Sequence, residues 1–247
     1  MRLSHGRPPV ALLEVERLTL GFGGVQALAD LDLTLESGQI LSIIGPNGCG
    51  KTTFFNVLTG ILEPDRGTIR LAGQDLRGLL PHHRAALGIG RKFQVPSLFD
   101  PLDVAENMRI AIGDRSTAHG RGDQVGAILA EIGMTAVATI PVAGLPHGDR
   151  QRLELAMVLA SRPRLVLLDE PTAGLGPGET SAIVGTIRQA TATTGAAFIV
   201  IEHDLAFVRE LDAPVGFMLR GRIERRGSYD ELARDPLVRE TYLGTRE

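Results

Sequence analysis

The sequence predicts an α/β fold: buried strands and helices around a phosphate-binding loop, an antiparallel β portion ahead of that loop, and a helical insertion. Three observations carry this. Gly45-Pro46-Asn47-Gly48-Cys49-Gly50-Lys51-Thr52-Thr53 fits the spacing G-x-x-x-x-G-K-[ST]. The short apolar run Ile40-Leu41-Ser42-Ile43-Ile44 before it reads as a buried strand, and 52–58 after it as a helix stopped by Gly60. Two further apolar runs, 164–168 and 196–201, end in Asp169-Glu170 and Glu202-His203-Asp204.

Strand, glycine-rich loop and helix, in that order, turn backbone N–H groups toward a phosphate at a helix N-terminus. The glycines allow the sharp turn and the close approach. Lys51 is placed to reach the β- and γ-phosphates, and the Thr52 hydroxyl to bind Mg²⁺.

Composition narrows the classes. A chain of 247 residues can bury one large core or two small ones. With 43% hydrophobic and 22% charged residues it is an ordinary globular sequence. A net charge of −3 gives no electrostatic reason to expect nucleic acid or an anionic membrane as the main partner. Cys49 is the only cysteine, so an internal disulfide is excluded and a reducing compartment is expected. No apolar run nears the length of a membrane span, so work at a membrane needs other chains to supply the spans. The polar, basic stretch 1–9 reads as a flexible tail and not as a signal peptide.

In chain order, 12–20 alternates apolar and polar residues as a half-exposed strand does, and a turn, Gly21-Phe22-Gly23-Gly24, follows. Phe22 has two readings there: a ring that stacks on a nucleotide base, or a loop aromatic covering the core edge. The stretch 25–35 alternates again and pairs antiparallel with what precedes it. After the loop helix come a turn at 64–67, a strand at 68–71, a short helix opened by Pro81 and a strand at 87–92. Gln94 follows that strand end, where a polar side chain can reach a ligand.

From 95 to 148 the strand signals stop. The stretches 104–112 and 123–132 read as helices flanking a polar surface loop, 113–122, and together they form an inserted helical subdomain. Its apolar entry, Val95 to Phe99, is either core or a groove for a partner helix. A helix opens at 148–151, a strand follows at 164–168, and a helix at 177–190. Strands at 215–219 and 222–226 and helices from Tyr229 close the chain. At the end of a buried strand Asp169 can hold Mg²⁺ through water, and Glu170, pointing the other way, can orient an attacking water. His203 ends a second buried strand on the same side, as a γ-phosphate contact; His5, His82, His83 and His119 read as surface residues. Cys49 is either a thiol activated among phosphate-binding amides or a small residue filling a small space. The arginines at 220, 222, 225 and 226 read as a solvated face.

These motifs resemble the ATP-binding subunit of an ABC transporter, a P-loop NTPase with a RecA-like core, from about Leu12 to Gly244. Gly45–Thr53 corresponds to the phosphate loop and Leu165 to Pro171 to the Walker B strand. Gln94 corresponds to the Q-loop glutamine, Phe22 to the adenine-stacking aromatic, and 201–204 to the switch-histidine segment. The resemblance implies one domain over 10–247, with 10–94 and 150–247 as nucleotide-binding core and β subdomain and 95–149 as helical subdomain. It implies ATP and Mg²⁺ as cofactors, with Thr52, Gln94 and Asp169 on the metal and Glu170, His203 and Lys51 at the reacting phosphate.

The same resemblance implies partners: multi-span permease subunits, a second ATP-binding chain of the same or similar kind, and indirectly a solute-binding protein. No nucleic acid is expected, and the location is peripheral on the cytoplasmic face of the membrane. Within the family the likeness is to importers of branched-chain amino acids and urea. The segment Gly90-Arg91-Lys92-Phe93-Gln94-Val95-Pro96-Ser97-Leu98-Phe99, the short helical subdomain and the ending 235–244 are most like the urea-type subunits. The expected cargo is therefore urea or short-chain amides, with branched-chain amino acids as the alternative. A soluble, non-transport ABC ATPase and a small-molecule P-loop kinase are the rival classes.

Two departures from the family pattern stand out. The signature segment reads Leu145-Pro146-His147-Gly148-Asp149, with proline at the usual serine and His147 as a possible substitute donor; it is expected to face the partner chain's nucleotide. The loop after Walker B carries Gly176 where an aspartate is usual, which bears on communication between paired sites.

Overall fold

The computed structural model describes residues 11–92, 98–113 and 121–244. The expected tail, Gln94 with its neighbours 93–97, and most of the loop expected at 113–122 lie outside them.

Strand β1 (Leu13–Phe22) and strand β2 (Val25–Leu35) form a hairpin closed by Gly23 and Gly24, both at positive φ. Phe22 is thus the last residue of a strand, paired with Val25, and not part of the turn as expected. In β2 the side chains of Leu31, Leu33 and Leu35 are buried while Asp30, Asp32 and Thr34 face water, which is the alternation the sequence shows. Strands β4 (Arg66–Leu71) and β5 (Gln74–Asp75) complete a four-stranded antiparallel sheet in the order β2-β1-β4-β5.

The second sheet has six strands. Strand β3 (Ile40–Ile44) leads into helix α1 (Lys51–Leu58). Helix α2 (Pro81–Ala86) precedes strand β6 (Ile89–Lys92), and strands β7 (Leu165–Asp169) and β8 (Ala197–Ile201) follow later in the chain. With β9 (Val215–Leu219) and β10 (Arg222–Gly227) the order is β10-β9-β3-β8-β7-β6. All neighbours are parallel except the β9–β10 hairpin. Every residue of β7 and β8 is buried, because this sheet is covered on both faces, so these strands read as unbroken apolar runs. The β7 assignment is shifted by one residue from the expected 164–168, which makes Asp169 the strand's last residue and not its successor.

Helices α3 (Val104–Ile112), α4 (Arg121–Glu131) and α5 (His147–Ala160) pack around Met108, Leu129, Leu153 and Ala156 as a core of their own. Helix α3 starts in a capping box: Asp103 Oδ1 accepts from the Glu106 amide at 2.7 Å, and Glu106 Oε2 from the Asp103 amide at 2.9 Å. Helix α4 begins earlier than expected, so Gly122 is helical and not part of a loop. Helix α5 serves two cores: Leu153, Ala156 and Ala160 face the helical cluster, while Leu155 packs with β7 and β8. Helix α6 (Pro177–Thr194) runs four residues past the expected end at 190 and stops at Gly195, φ +69°. Helices α7 (Leu205–Leu211) and α8 (Tyr229–Arg234) close the far face. The arginines of β10 are tied down at the surface: Arg222 to Asp30, Arg225 to Asp235, and Arg226 to the Thr34 carbonyl.

Candidate active site

Strands β3, β8 and β7 are neighbours and parallel, so their carboxyl ends open on one edge. That edge is where ligands bind in such sheets. It carries the glycine-rich loop from β3, Glu202 and His203 after β8, and Asp169 and Glu170 at the end of β7.

The loop is held by close backbone packing. A side chain on Gly45 would fall on the Met218 carbonyl, and one on Gly50, at φ +108°, on the Ala27 carbonyl of β2. The Gly221 amide donates to the Cys49 carbonyl at 2.9 Å, so the β9–β10 turn props the loop from behind. Asn47, Gly48 and Thr52 face solvent, at the amino end of α1. Lys51 is buried and folds back: its ammonium donates to the carbonyls of Gly45 at 2.7 Å and Pro46 at 3.0 Å.

Burial argues against an activated thiol at Cys49. It is buried, and burial pushes the thiol above its usual range, with Lys51 opposing that only in part. Both observations favour the small-residue reading.

Asp169 is 5% exposed. Its Oδ2 lies 3.6 Å from Arg91 Nη2 and accepts no hydrogen bond among the described residues. Burial pushes its carboxyl above the ordinary value and Arg91 works against this. A carboxylate oxygen is the kind of hard ligand that Mg²⁺ takes. Asp169 and the Thr52 hydroxyl, with phosphate oxygens and water, fit Mg²⁺, which takes few ligands from the protein.

Glu170 sits at φ +48°, in the left-handed region, and its side chain is 40% exposed where that of Asp169 is buried. His203 Nε2 lies 3.2 Å from Glu170 Oε1. The two side chains expected to act together are therefore brought together. Phe22 is 48% exposed at the tip of the β1–β2 hairpin, the hairpin whose second strand packs on the loop at Ala27 and Leu28.

The signature residues head α5. Pro146 and His147 are exposed, Leu145 and Gly148 are buried, and Asp149 pairs with Arg152 at 3.2 Å. His147 Nε2 lies 3.2 Å from the Ala173 carbonyl of its own chain, and the Gly148 amide donates to Glu179 Oε1 at 3.2 Å. The other oxygen of Glu179 accepts from the Gly176 amide at 2.9 Å, so one carboxylate joins the starts of α5 and α6.

Sequence reasoning passed over Arg91, Lys92, Glu179 and Glu202. Lys92 pairs with Glu154 at 3.2 Å and donates to Gln151, which joins β6 to α5. The available signal was a charge inside or directly after an apolar strand: two such residues end Ile89-Gly90-Arg91-Lys92, and Glu202 follows Ala197–Ile201.

The model of the ABC transporter family matches residues 28–173. The chain is 34% identical over 249 residues to the high-affinity branched-chain amino acid transport ATP-binding protein BraF of Pseudomonas aeruginosa, covering 94% of this chain and 98% of that one. It is equally similar, with the same coverage, to LivG of Escherichia coli strain K12, which carries the same description. Among solved structures, the ADP conformation of MJ1267, an ATP-binding cassette of an ABC transporter, superposes with a TM-score of 0.83 at 27% identity, covering 95% of this chain and 99% of that one. The expected fold is the observed one, and the chain belongs to the ABC transporter family as an ATP-hydrolysing, ATP-binding subunit.

Proposed function

We propose that this ATPase powers an importer for branched-chain amino acids, working as a pair of such chains that closes on ATP. The names of BraF and LivG support that cargo over the urea or short-chain amides expected from the 90–99 segment. The membrane subunits, and through them a solute-binding protein, hold the specificity. The chain sits peripherally on the cytoplasmic face; among the described residues no helix is long and apolar enough to cross a membrane.

Each nucleotide lies between one chain's loop and the partner's α5 amino end. Phe22 stacks on adenine. The amides of 47–53 and Lys51 hold the phosphates, Lys51 leaving the carbonyls of Gly45 and Pro46 to do so. Asp169 and Thr52, with Gln94 from outside the described residues, would hold Mg²⁺, which would supply positive charge at the phosphates. Glu170 orients the attacking water, and His203, 3.2 Å away, steadies both Glu170 and the γ-phosphate. Closure brings the helical clusters of the two chains toward each other. A cleft of about 390 Å³ lined by Ile61, Pro81, Ala85 and Val158 is the seat for a short cytoplasmic helix of the membrane subunit. Exposed Ile61 and Leu80 supply apolar surface beside it.

The Glu170–His203 contact at the loop-bearing edge of the sheet carries the catalytic assignment. Phosphate release by Glu170→Gln tests it. The expected result is a fall in kcat of about 10²-fold or more with ATP affinity retained. Turnover within a few-fold of the unaltered chain would overturn the assignment.

A further inference from the structure

Glu202 has no part in that scheme, yet it is the residue that joins the two loops bearing it. It follows β8 directly and is 3% exposed. Its Oε1 accepts from Thr172 twice, from the amide at 3.0 Å and from the hydroxyl at 2.6 Å. Its Oε2 accepts from the amides of His203 at 3.0 Å and Asp204 at 3.3 Å. All these neighbours are donors. That set suits a carboxylate; a carboxamide would turn its NH₂ toward two of them.

Placement gives the arrangement its meaning. The ladder between β7 and β8 ends at Asp169 and Ile201, and the Glu170 amide adds a last bond to the Ile201 carbonyl at 2.9 Å. Beyond that point the strands diverge into two loops, one carrying Glu170 and the other His203. Past that bond the Glu202 carboxylate links the two loops through backbone and hydroxyl donors, beside the side-chain contact of His203 with Glu170 at 3.2 Å. Without it the buried amide and hydroxyl of Thr172 would lose their acceptor and stay desolvated without a partner. Glu170 itself holds φ +48°, a conformation that L side chains keep only when their surroundings impose it. Thr172, two residues on, is pinned by Glu202, and His203 is its chain neighbour. The Glu202 amide meanwhile reaches the Ile43 carbonyl of β3 at 3.4 Å, on the strand that leads into the phosphate loop.

We infer that Glu202 is a positioning residue for ATP hydrolysis: it fixes the turn after β7 to the loop after β8 and so sets the separation of Glu170 and His203. This rests on the roles proposed for those two side chains. Glu202 is buried and both of its carboxylate oxygens are taken up by Thr172, His203 and Asp204, so its loss is expected to act on the chemical step and to spare binding.

The test compares Glu202→Gln, Thr172→Val and Thr172→Ser for kcat, KM, ATP affinity and thermal melting. Glu202→Gln is expected to lower kcat about tenfold or more with ATP affinity within about twofold, since displacements near 1 Å cost up to 10²-fold. Thr172→Val lowers kcat less, Thr172→Ser matches the unaltered chain, and Thr172→Val combined with Glu202→Gln is no worse than Glu202→Gln alone. Unchanged kcat in Glu202→Gln, or equal losses of kcat and bound ATP as a shrinking folded fraction would give, overturns the inference. If Glu202→Gln does not fold, Thr172→Val against Thr172→Ser decides in the same way. An active Glu170→Gln would remove the catalytic assignment itself; an inactive Glu170→Gln beside a fully active Glu202→Gln would remove only the role of Glu202.

Discussion

Lys51 and Cys49 lie two residues apart and differ in what their surroundings do to them. Lys51 donates to the carbonyls of Gly45 and Pro46, so its charge is met from within the loop. Cys49 is 6% exposed, with its sulfur near Gly45 and 3.8 Å from the Lys51 ammonium, and burial outweighs that charge. Thiol alkylation is therefore expected to be slow in the folded chain near neutral pH and fast after unfolding; rapid stoichiometric labelling of the folded chain would contradict this. The sequence made the helix N-terminus visible and hence the possibility of an activated thiol. It did not show the wall behind the sulfur, because Met218 and Gly221 reach the loop from more than 160 residues away.

Helix α1 shows the same limit one level up. Its start was legible from the glycine spacing, and its end from Gly60. What holds that end was not. Arg84 of α2 is fully buried, and its guanidinium donates to the carbonyls of Val57 and Leu58 at the last turn of α1 and to Leu79 at 3.0 Å. Glu63 pairs with it at 2.8 Å. A cation at a helix C-terminus also opposes the helix dipole. In sequence Arg84 is simply one polar residue of a short amphipathic helix. Arg84→Ala should lower unfolding free energy by about 3 kcal/mol, through orphaned carbonyls and a cavity, measured by urea denaturation. A loss below about 1 kcal/mol would contradict the capping role. Strands β7 and β8 were the easier elements, since burial on both faces leaves an unbroken apolar run. The start of α4 was harder, because Arg121 and Gly122 carry no apolar periodicity.

For the whole molecule, the decisive fact is sheet order. Chain order alone gives strands that end in Asp169-Glu170 and in Glu202-His203, and a loop after 40–44. Only the order β3-β8-β7 makes the three ends adjacent. Parallel neighbours are joined by long crossovers, so adjacency is not local information. The signature residues were legible as a departure from the family pattern, but their contact with Glu179 depends on how α5 packs on α6. In that arrangement the Gly148 amide donates to Glu179 of its own chain, and pairing of two chains is what would set it against a nucleotide. The most direct measurement is the mass in solution of the purified Glu170→Gln chain, by sedimentation or light scattering, with ATP and Mg²⁺ added. Closure on nucleotide predicts a shift from one chain of 26.4 kDa to a pair, reversed when ADP replaces ATP. A chain that binds ATP tightly and stays single at every concentration would contradict it.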